Sequence, residues 1–329
     1  MSDTVGLLVM AYGTASGPED IERYYTDIRG GRAPSPELLA ELRARYEAIG
    51  DRFPLLDITR EEAGGLEREL NAAGEGSFRA YLGMKHSPPS VAEGVARMRA
   101  DGIERAVGIV MAPHWSGMSV EDYIQRAERA AGDGGPAFTF VRHWYDHPAF
   151  VEFLSGRVAD SLSTLEPEER EGAAVIFSAH SLPQRDVGED ETRCLRCDVC
   201  TTACRYLEQL RDTADLVAER LGLTAYTTAW QSAGRTADPW LGPPVEDVIR
   251  DLARQHAAVI VCSAGFVADH LETLYDLDIE AQEVAREAGV RLVRTEMPNA
   301  DPAFVRALAA IVRDHLTEQR DREPVSDGR

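Results

Sequence analysis

The sequence predicts an α/β fold with two similar domains, each built on a parallel sheet. Short apolar runs rich in β-branched residues alternate with longer segments of helical periodicity, which is the pattern of parallel strands joined by helical crossovers. There are eight such runs, in two sets of four. The chain has 329 residues, of which 44% are hydrophobic, so it is long enough for two domains with a sizeable core.

The predicted elements follow in chain order. The first four strands are 5–10, 78–83, 106–112 and 138–142, and the second four are 173–179, 224–229, 257–263 and 290–294. The clearest helical periodicity lies in 35–48, 61–73, 119–131, 205–221 and 245–255. Because strands and helices alternate throughout, we expect helices to cover the sheets and to connect successive strands.

The predicted domain boundary lies where WYDHPAF, residues 144–150, interrupts the pattern. We therefore expect an N-terminal domain at 1–146 and a C-terminal domain at 147–301. A last helix, 302–318, follows a Pro-Asn turn and is expected to pack back on the first domain. The charged tail at 319–329 is poor in apolar residues, which predicts disorder.

Composition excludes several classes of function. The formal net charge of −21 argues against nucleic acid as a partner. The N-terminal MSDTVGLLVMAYG has no basic region before an apolar stretch, and no window of about 18 uncharged apolar residues occurs. These features predict a soluble, cytoplasmic protein with no membrane span.

Polar residues follow the predicted strands at the edge where parallel sheets bind ligands. Four of the eight histidines lie in such segments, together with aromatic, amide and carboxylate side chains. The residues concerned are Tyr12, His86, His114, His180, Trp230, Gln231, His270 and Glu272. Histidines and a carboxylate that converge on one crevice indicate a site that handles metal and protons.

A second candidate site is the cysteine run CLRCDVCTTAC, residues 194–204. It holds four of the five cysteines, at C-x2-C-x2-C-x3-C spacing. In a reducing compartment such a cluster more often binds metal than forms disulfides. Cys262, inside a predicted strand, is interpreted as a small core residue.

Several motifs together resemble the ferrochelatase family over about residues 5–318. They are GLLVMAYGT, DIERYYTDIRGGR, ELRARYEAIG, YLGMKHSPPS, IVMAPHWS, SAHSLP, WQSAGRTADPWLGP, GFVADHLETLYD and EMPNA. The chain is most similar to the soluble coproporphyrin ferrochelatases of Gram-positive bacteria. The resemblance implies two flavodoxin-like halves with a porphyrin cleft between them, and insertion of Fe2+ into coproporphyrin III during haem biosynthesis, with release of two protons.

The resemblance also implies roles for individual residues. His180 and Glu272 match the family's metal-binding pair, with Glu272 also a candidate proton acceptor and His270 beside them. Tyr12 matches the tyrosine that the Gram-positive enzymes place on the opposite face, as axial ligand to the product iron. His86 is expected to take part in proton transfer or to contact a propionate.

Binding of the propionates requires cationic and hydroxyl side chains. The residues that align with family positions contacting substrate or a nearby hydrated cation are Arg29, Arg45, Tyr46 and Tyr123. The chain departs from the Gram-positive pattern at Phe53, where that pattern has a serine, and at Gly30, where a second arginine can occur.

Because some microbial ferrochelatases carry an iron–sulfur cluster, the cysteine insertion at 190–205 is interpreted as its site. We expect a [2Fe–2S] cluster on Cys194, Cys197, Cys200 and Cys204, with a structural Zn2+ on the same thiolates as the alternative. The relatives further imply a monomer that makes transient contacts with neighbouring enzymes of haem synthesis.

Four alternative functions remain open from the sequence. The chain could metalate protoporphyrin IX, or insert cobalt or nickel into another tetrapyrrole. It could be a non-catalytic porphyrin or haem carrier that uses Tyr12 as ligand. It could be an iron–sulfur redox protein, in which the cysteine run carries the function.

Overall fold

The computed structural model describes residues 4–74, 76–186, 192–194, 205–234 and 239–322. The strands are β1 Thr4–Ala11, β2 Ser77–Met84, β3 Arg105–Val110, β4 Ala137–Val141, β5 Ala174–His180, β6 Gln184–Asp186, β7 Thr192–Cys194, β8 Tyr226–Gln231, β9 Ala258–Ser263 and β10 Arg291–Arg294. The helices are α1 Ile21–Ile28, α2 Pro36–Ala48, α3 Leu55–Ala72, α4 Val91–Ala100, α5 Val120–Ala131, α6 Pro148–Ser163, α7 Pro167–Glu171, α8 Tyr206–Leu221, α9 Val245–Leu252, α10 Ala281–Ala288 and α11 Pro302–Arg322. A π-helical segment, Thr273–Glu280, leads directly into α10.

Two four-stranded sheets form the framework, and all strand pairs within them are parallel. The first sheet has the order β2-β1-β3-β4 and the second has the order β10-β9-β5-β8. Numbered within its own half, each sheet therefore has the same strand order. This confirms the predicted α/β class with two parallel sheets.

Successive side chains of each strand point to opposite faces of the sheet, so one strand contributes to two layers of the core. Leu7 and Val9 of β1 join a central apolar cluster, whereas Leu8 and Met10 of the same strand join a second cluster with α4 and α5. The central cluster also holds Phe177 of β5 and residues of α3, α6, α8 and α11. One continuous core therefore lies between the two sheets, and α9 and α10 cover the far face of the second sheet.

The main differences from the predicted elements concern α3, α11 and a short hairpin. Helix α3 begins at Leu55, six residues before the predicted start at 61. Helix α11 continues to Arg322, four residues past the predicted helix end at 318, and Arg322 pairs with Glu318 one turn earlier. Residues 323–329 lie outside the described part of the chain. A short antiparallel hairpin, β6–β7, was not predicted.

Helix α11 contacts α3 of the first half and also α6 of the second. Phe304 of α11 packs against Trp144 and Phe153, with ring centroids 6.1 and 5.4 Å away. The last helix therefore links both halves. The division of the chain at residue 146 stays a prediction.

Candidate functional site

The carboxyl ends of the two sheets place the functional side chains around one cleft. Strand β1 ends just before Tyr12, and β5 ends at His180. The backbone of the segment after β2 continues to pair with β1, because the His86 N–H donates to the Tyr12 carbonyl at 3.0 Å. That bond fixes His86 beside Tyr12, and Ser90 and Glu93 then form a capping box that begins α4.

The cleft comprises two adjoining cavities of about 510 and 480 Å3. The first extends past α1 and α2 to the π segment, and the second lies deeper, past Lys85, His86 and Tyr123. The residues that line both are Tyr12, Ile28, His180, Trp240 and His270. Three of the polar residues predicted from strand ends therefore stand where the two cavities meet.

Two imidazoles converge on one carboxylate oxygen. The Nε2 atoms of His180 and His270 lie 3.7 and 3.6 Å from Glu272 Oε2. The Nδ1 atom of His180 contacts the Ser181 carbonyl, and Nδ1 of His270 lies 3.0 Å from the Ala268 carbonyl. Because backbone carbonyls occupy both Nδ1 atoms, each Nε2 is left to face the carboxylate. A proton or a cation can satisfy the three converging atoms.

Electrostatics keeps this carboxylate ionised. Burial opposes ionisation, but the charges of His180 and His270 and the nearby Arg45 leave the pKa of Glu272 below its usual value. Burial likewise disfavours the charged form of His270, yet its interaction with Glu272 leaves the pKa of His270 raised. The group is therefore a carboxylate anion flanked by two imidazoles. Among the described residues, no set of three or more His, Cys, Asp and Glu side chains has the spacing of a ready-formed metal site.

A row of carboxylates leads outward from Glu272 along the π segment. Residues four apart lie near one line in this widened helix, which places Asp276 and Glu280 after Glu272. Arg45 lies among these groups, 3.5 Å from Asp276 and 3.9 Å from Glu280. Burial and the charge of Glu272 raise the pKa of Asp276 to about 7. The row was not recognised in the sequence as a group, although the pattern E-x3-D-x3-E is visible there.

Tyr12 and His86 form a separate group on the first sheet. Their ring centroids are 4.7 Å apart. Desolvation inside the cleft, followed by the charges of Glu272 and Asp27, raises the pKa of Tyr12. Tyr12 is thus a neutral phenol at physiological pH. The carboxylate of Asp27, on α1, lies 2.6 Å from Nδ1 of His86.

Three of the four residues predicted to contact propionates or a hydrated cation line the cleft, and Arg29 lines neither cavity. Tyr46 and Arg45 line the first cavity, and Tyr123 lines the second. Tyr46 stacks on Phe53 with centroids 4.5 Å apart, so the residue that replaces the family's serine makes an aromatic contact instead. Arg29 lies over the ring of Tyr25, and its Nε is buried without a hydrogen-bond partner among the described residues.

Sequence reasoning missed the aromatic wall behind the histidines. Phe266 packs edge-on against His270, with centroids 4.4 Å apart, and Trp240 lies 6.4 Å from the ring of His180. Both side chains line the second cavity. Apolar walls beside basic groups suit a flat aromatic ligand that carries polar nitrogens.

Two other predicted residues have structural surroundings. His114 is 2% exposed and its Nε2 lies 3.0 Å from the Thr213 hydroxyl, which is typical of a buried structural histidine. Cys262 is fully buried in β9, as expected for a core residue. Of the cysteine run, Cys194 ends β7, and Cys197, Cys200 and Cys204 lie outside the described residues.

Comparison with known proteins now places the chain. The ferrochelatase family model matches residues 4–316. The chain belongs to the ferrochelatase family. The coproporphyrin III ferrochelatases of Anoxybacillus flavithermus and Bacillus subtilis are both 47% identical to it. These alignments cover 96% and 95% of this chain and 97% and 98% of the relatives.

Solved chelatase structures share the fold of this ferrochelatase. SirB from Bacillus subtilis has a TM-score of 0.57 at 11% sequence identity, with 97% of this chain and 98% of that chain covered. The sirohydrochlorin chelatase SirB from Bacillus subtilis subspecies spizizenii has a TM-score of 0.54 at 8% identity, with the same coverage. At such identities the similarity concerns the fold alone. Within the described residues, no helix is long and apolar enough to cross a bilayer.

Proposed function

We propose that this ferrochelatase inserts Fe2+ into coproporphyrin III to give Fe-coproporphyrin III in haem biosynthesis. The observation that carries the proposal is the convergence of His180 Nε2 and His270 Nε2 on Glu272 Oε2 inside the cleft. The relatives named for this activity, at 43–47% identity over nearly the whole chain, support the choice of substrate.

In this proposal, His180 and Glu272 hold the incoming iron on one face of the macrocycle. An imidazole and a carboxylate bind ferrous iron without trapping it. The ionised Glu272 then accepts a pyrrole proton as the metal–nitrogen bonds form, and His270 orients the carboxylate. Asp276 and Glu280 give the cation oxygen ligands along its approach to this pair, and Arg45 offsets part of their negative charge.

Tyr12 is proposed to bind the iron of the product from the other face. Since its pKa is raised, the phenol keeps its proton until the iron of the product can displace it. The free porphyrin therefore meets a neutral side chain. His86, beside Tyr12, is proposed to take part in proton transfer.

Four side chains are proposed to bind the propionates of the porphyrin. Arg29 lines neither cavity, but its buried Nε has no hydrogen-bond partner among the described residues and is therefore suited to a carboxylate. Tyr46 and Tyr123 offer hydroxyl groups within the two cavities. Arg45 already lies 3.5 Å from Asp276, and it is this carboxylate that could hold a hydrated cation beside Arg45.

Parallel anaerobic metalation assays test the activity. Purified protein and Fe2+ are mixed with coproporphyrin III or protoporphyrin IX, and loss of free-porphyrin fluorescence is followed. We expect rapid turnover of coproporphyrin III and little of protoporphyrin IX. The reverse preference would move the enzyme to protoporphyrin metalation, and tight binding of both without turnover would indicate a carrier.

We further propose that Cys194, Cys197, Cys200 and Cys204 bind a [2Fe–2S] cluster. Four thiolates at this spacing can hold one metal centre. In this proposal the cluster stabilises the protein and does not transfer electrons during metal insertion. Iron and sulfide analysis with an absorption spectrum of anaerobically purified protein provides the test. One zinc per chain without a visible band would show a structural Zn2+ instead.

The enzyme is proposed to act as a cytoplasmic monomer that transiently contacts neighbouring enzymes of haem synthesis. Light scattering coupled to size-exclusion chromatography, at several protein concentrations, tests the oligomeric state. A single mass near 36.1 kDa is expected. A concentration-dependent dimer would contradict it.

A further inference from the structure

A carboxylate–imidazole pair lies on the Tyr12 side of the cleft, apart from Glu272. Asp27 Oδ1 lies 2.6 Å from His86 Nδ1, although the two residues are 59 positions apart. The short distance and the opposite polarity of the two groups are typical of a charge-assisted hydrogen bond. Neither the family motifs nor the strand-end pattern assigns Asp27 a role.

Within the described residues, the other nitrogen of the His86 ring, Nε2, has no hydrogen-bond partner. His86 is 9% exposed, and its ring lies against Tyr12 and lines the second cavity. Since Asp27 accepts a hydrogen bond from Nδ1–H, the neutral ring has the tautomer in which Nε2 carries the lone pair. His86 can therefore accept a proton at Nε2.

The carboxylate connects the imidazole to solvent. The side chain of Asp27 is 51% exposed, whereas that of His86 is 10% exposed. Asp27 lies on α1, and the next residue, Ile28, lines both cavities. The Asp27–His86 pair thus spans the wall between the cleft and the protein surface.

We propose that Asp27 is a positioning residue for His86 and that the pair is an exit route for one pyrrole proton. This proton transfer rests on the proposed metalation. A pyrrole N–H bond breaks, and His86 Nε2 takes the proton while the porphyrin nitrogen keeps the electron pair for iron. His86 then gives its Nδ1 proton to Asp27, which passes it to water, and ring rotation or reprotonation restores the starting tautomer.

The kinetic test compares Asp27→Asn with a matched charge change elsewhere. Asp57→Asn is the control, because the Asp57 side chain is 77% exposed on α3 and pairs only with Arg60 in the contacts described. We expect Asp27→Asn to lower kcat for coproporphyrin III roughly ten- to hundredfold at little change in KM, and Asp57→Asn to leave both unchanged. Asp27→Glu should recover part of the loss.

A double variant tests whether Asp27 and His86 act in the same proton-transfer route or whether each substitution damages the structure separately. His86→Ala should lose about as much kcat as Asp27→Asn, and the double variant should lose no more than His86→Ala alone. Additive losses would overturn the route. Equal kcat values for Asp27→Asn and the Asp57→Asn control would also overturn the proposed route. That result would leave the proposed metalation activity unaffected.

A measurement without turnover tests the positioning directly. In protein labelled with 15N-histidine, His86 is assigned by comparison with His86→Gln. We expect the Nδ1–H tautomer in the native protein and a mixture of tautomers in Asp27→Ala. The same tautomer in both proteins would overturn the assignment of Asp27. This result holds even if neither porphyrin is metalated, so failure of the proposed function is recognised separately.

Discussion

At the scale of single residues, the backbone determines which ring nitrogen of His180 and of His270 faces Glu272. The carbonyls of Ser181 and Ala268 accept hydrogen bonds from the Nδ1–H groups of His180 and His270, which leaves both Nε2 atoms facing Glu272. The same side chains with free Nδ1 atoms could adopt either tautomer. The local backbone therefore orients the Nε2 atoms of both histidines toward the carboxylate.

Replacing Glu272 by glutamine tests this group. The substitution keeps the shape of the side chain and removes its charge and its capacity to accept a proton. We expect kcat for metalation to fall by about a hundredfold or more, with an unchanged circular dichroism spectrum. Glu296→Gln is the control, because the Glu296 side chain is 86% exposed. Equal rates in the two variants would exclude Glu272 from the reaction.

His114 should control stability in acid. Burial lowers the pKa of His114 from 6.5 to about 3, so the unfolded chain binds a proton at pH 5 and the folded chain does not. Stability should therefore fall as pH decreases below 6.5, by about 2 kcal/mol between pH 7.5 and pH 5. Urea unfolding at both pH values should show this loss reduced in His114→Gln. Identical losses would contradict the assignment.

Residue types and strand ends were sufficient to predict part of the site. His180, His270 and Tyr12 each lie at or just after the end of a strand. Because the carboxyl ends of parallel strands lie at the same edge of a sheet, their convergence was predictable. The pairing of Asp27 with His86 was not, because it depends on how α1 lies over the first sheet. Local pattern contains no information on that packing.

At the scale of elements, close approach of two chain segments fixes the end of β5. A Cβ on Gly265 would lie 2.5 Å from Ala179 Cβ and 2.8 Å from Ala179 Cα. Ala179 immediately precedes His180, and the Gly265 N–H donates to the Ser178 carbonyl at 3.0 Å. The loop after β9 thus holds the strand that presents His180.

Gly265→Ala should push these segments apart. We expect a loss of about 1–3 kcal/mol in the free energy of unfolding and a lower kcat from displacement of His180. Gly156→Ala, in α6, is the matched control, because a Cβ there meets nothing within 4 Å. The control should instead gain roughly 0.5–1 kcal/mol from helix propensity. Urea titration of both variants provides the comparison.

At the scale of the whole molecule, the two sheets share one core. Alternating strands and helices predicted the sheets, since apolar runs of four to eight residues between helices are typical of buried parallel strands. The shared core was not predictable, because periodicity identifies an apolar face and does not say which face covers it. The hairpin β6–β7 has only three residues in each strand and no apolar pattern.

Phe304→Ala tests whether the halves unfold together. Phe304 is fully buried and contacts Trp144 and Phe153, which flank the predicted boundary. We expect a loss of about 3–5 kcal/mol, seen as one transition that is coincident by fluorescence and circular dichroism. Two separated transitions would show that the halves are independent domains.

The repeated strand order has a consequence for how the enzyme can evolve. Tyr12 and His86 follow strands of the first sheet, whereas His180, His270 and Glu272 follow strands of the second. The two walls of the cleft are therefore encoded by separate stretches of the gene. A single recombination between relatives near the codons for β4 and α6 would exchange the side chains of one wall as a set, while the shared core and the Arg45–Asp276 pair would have to stay compatible.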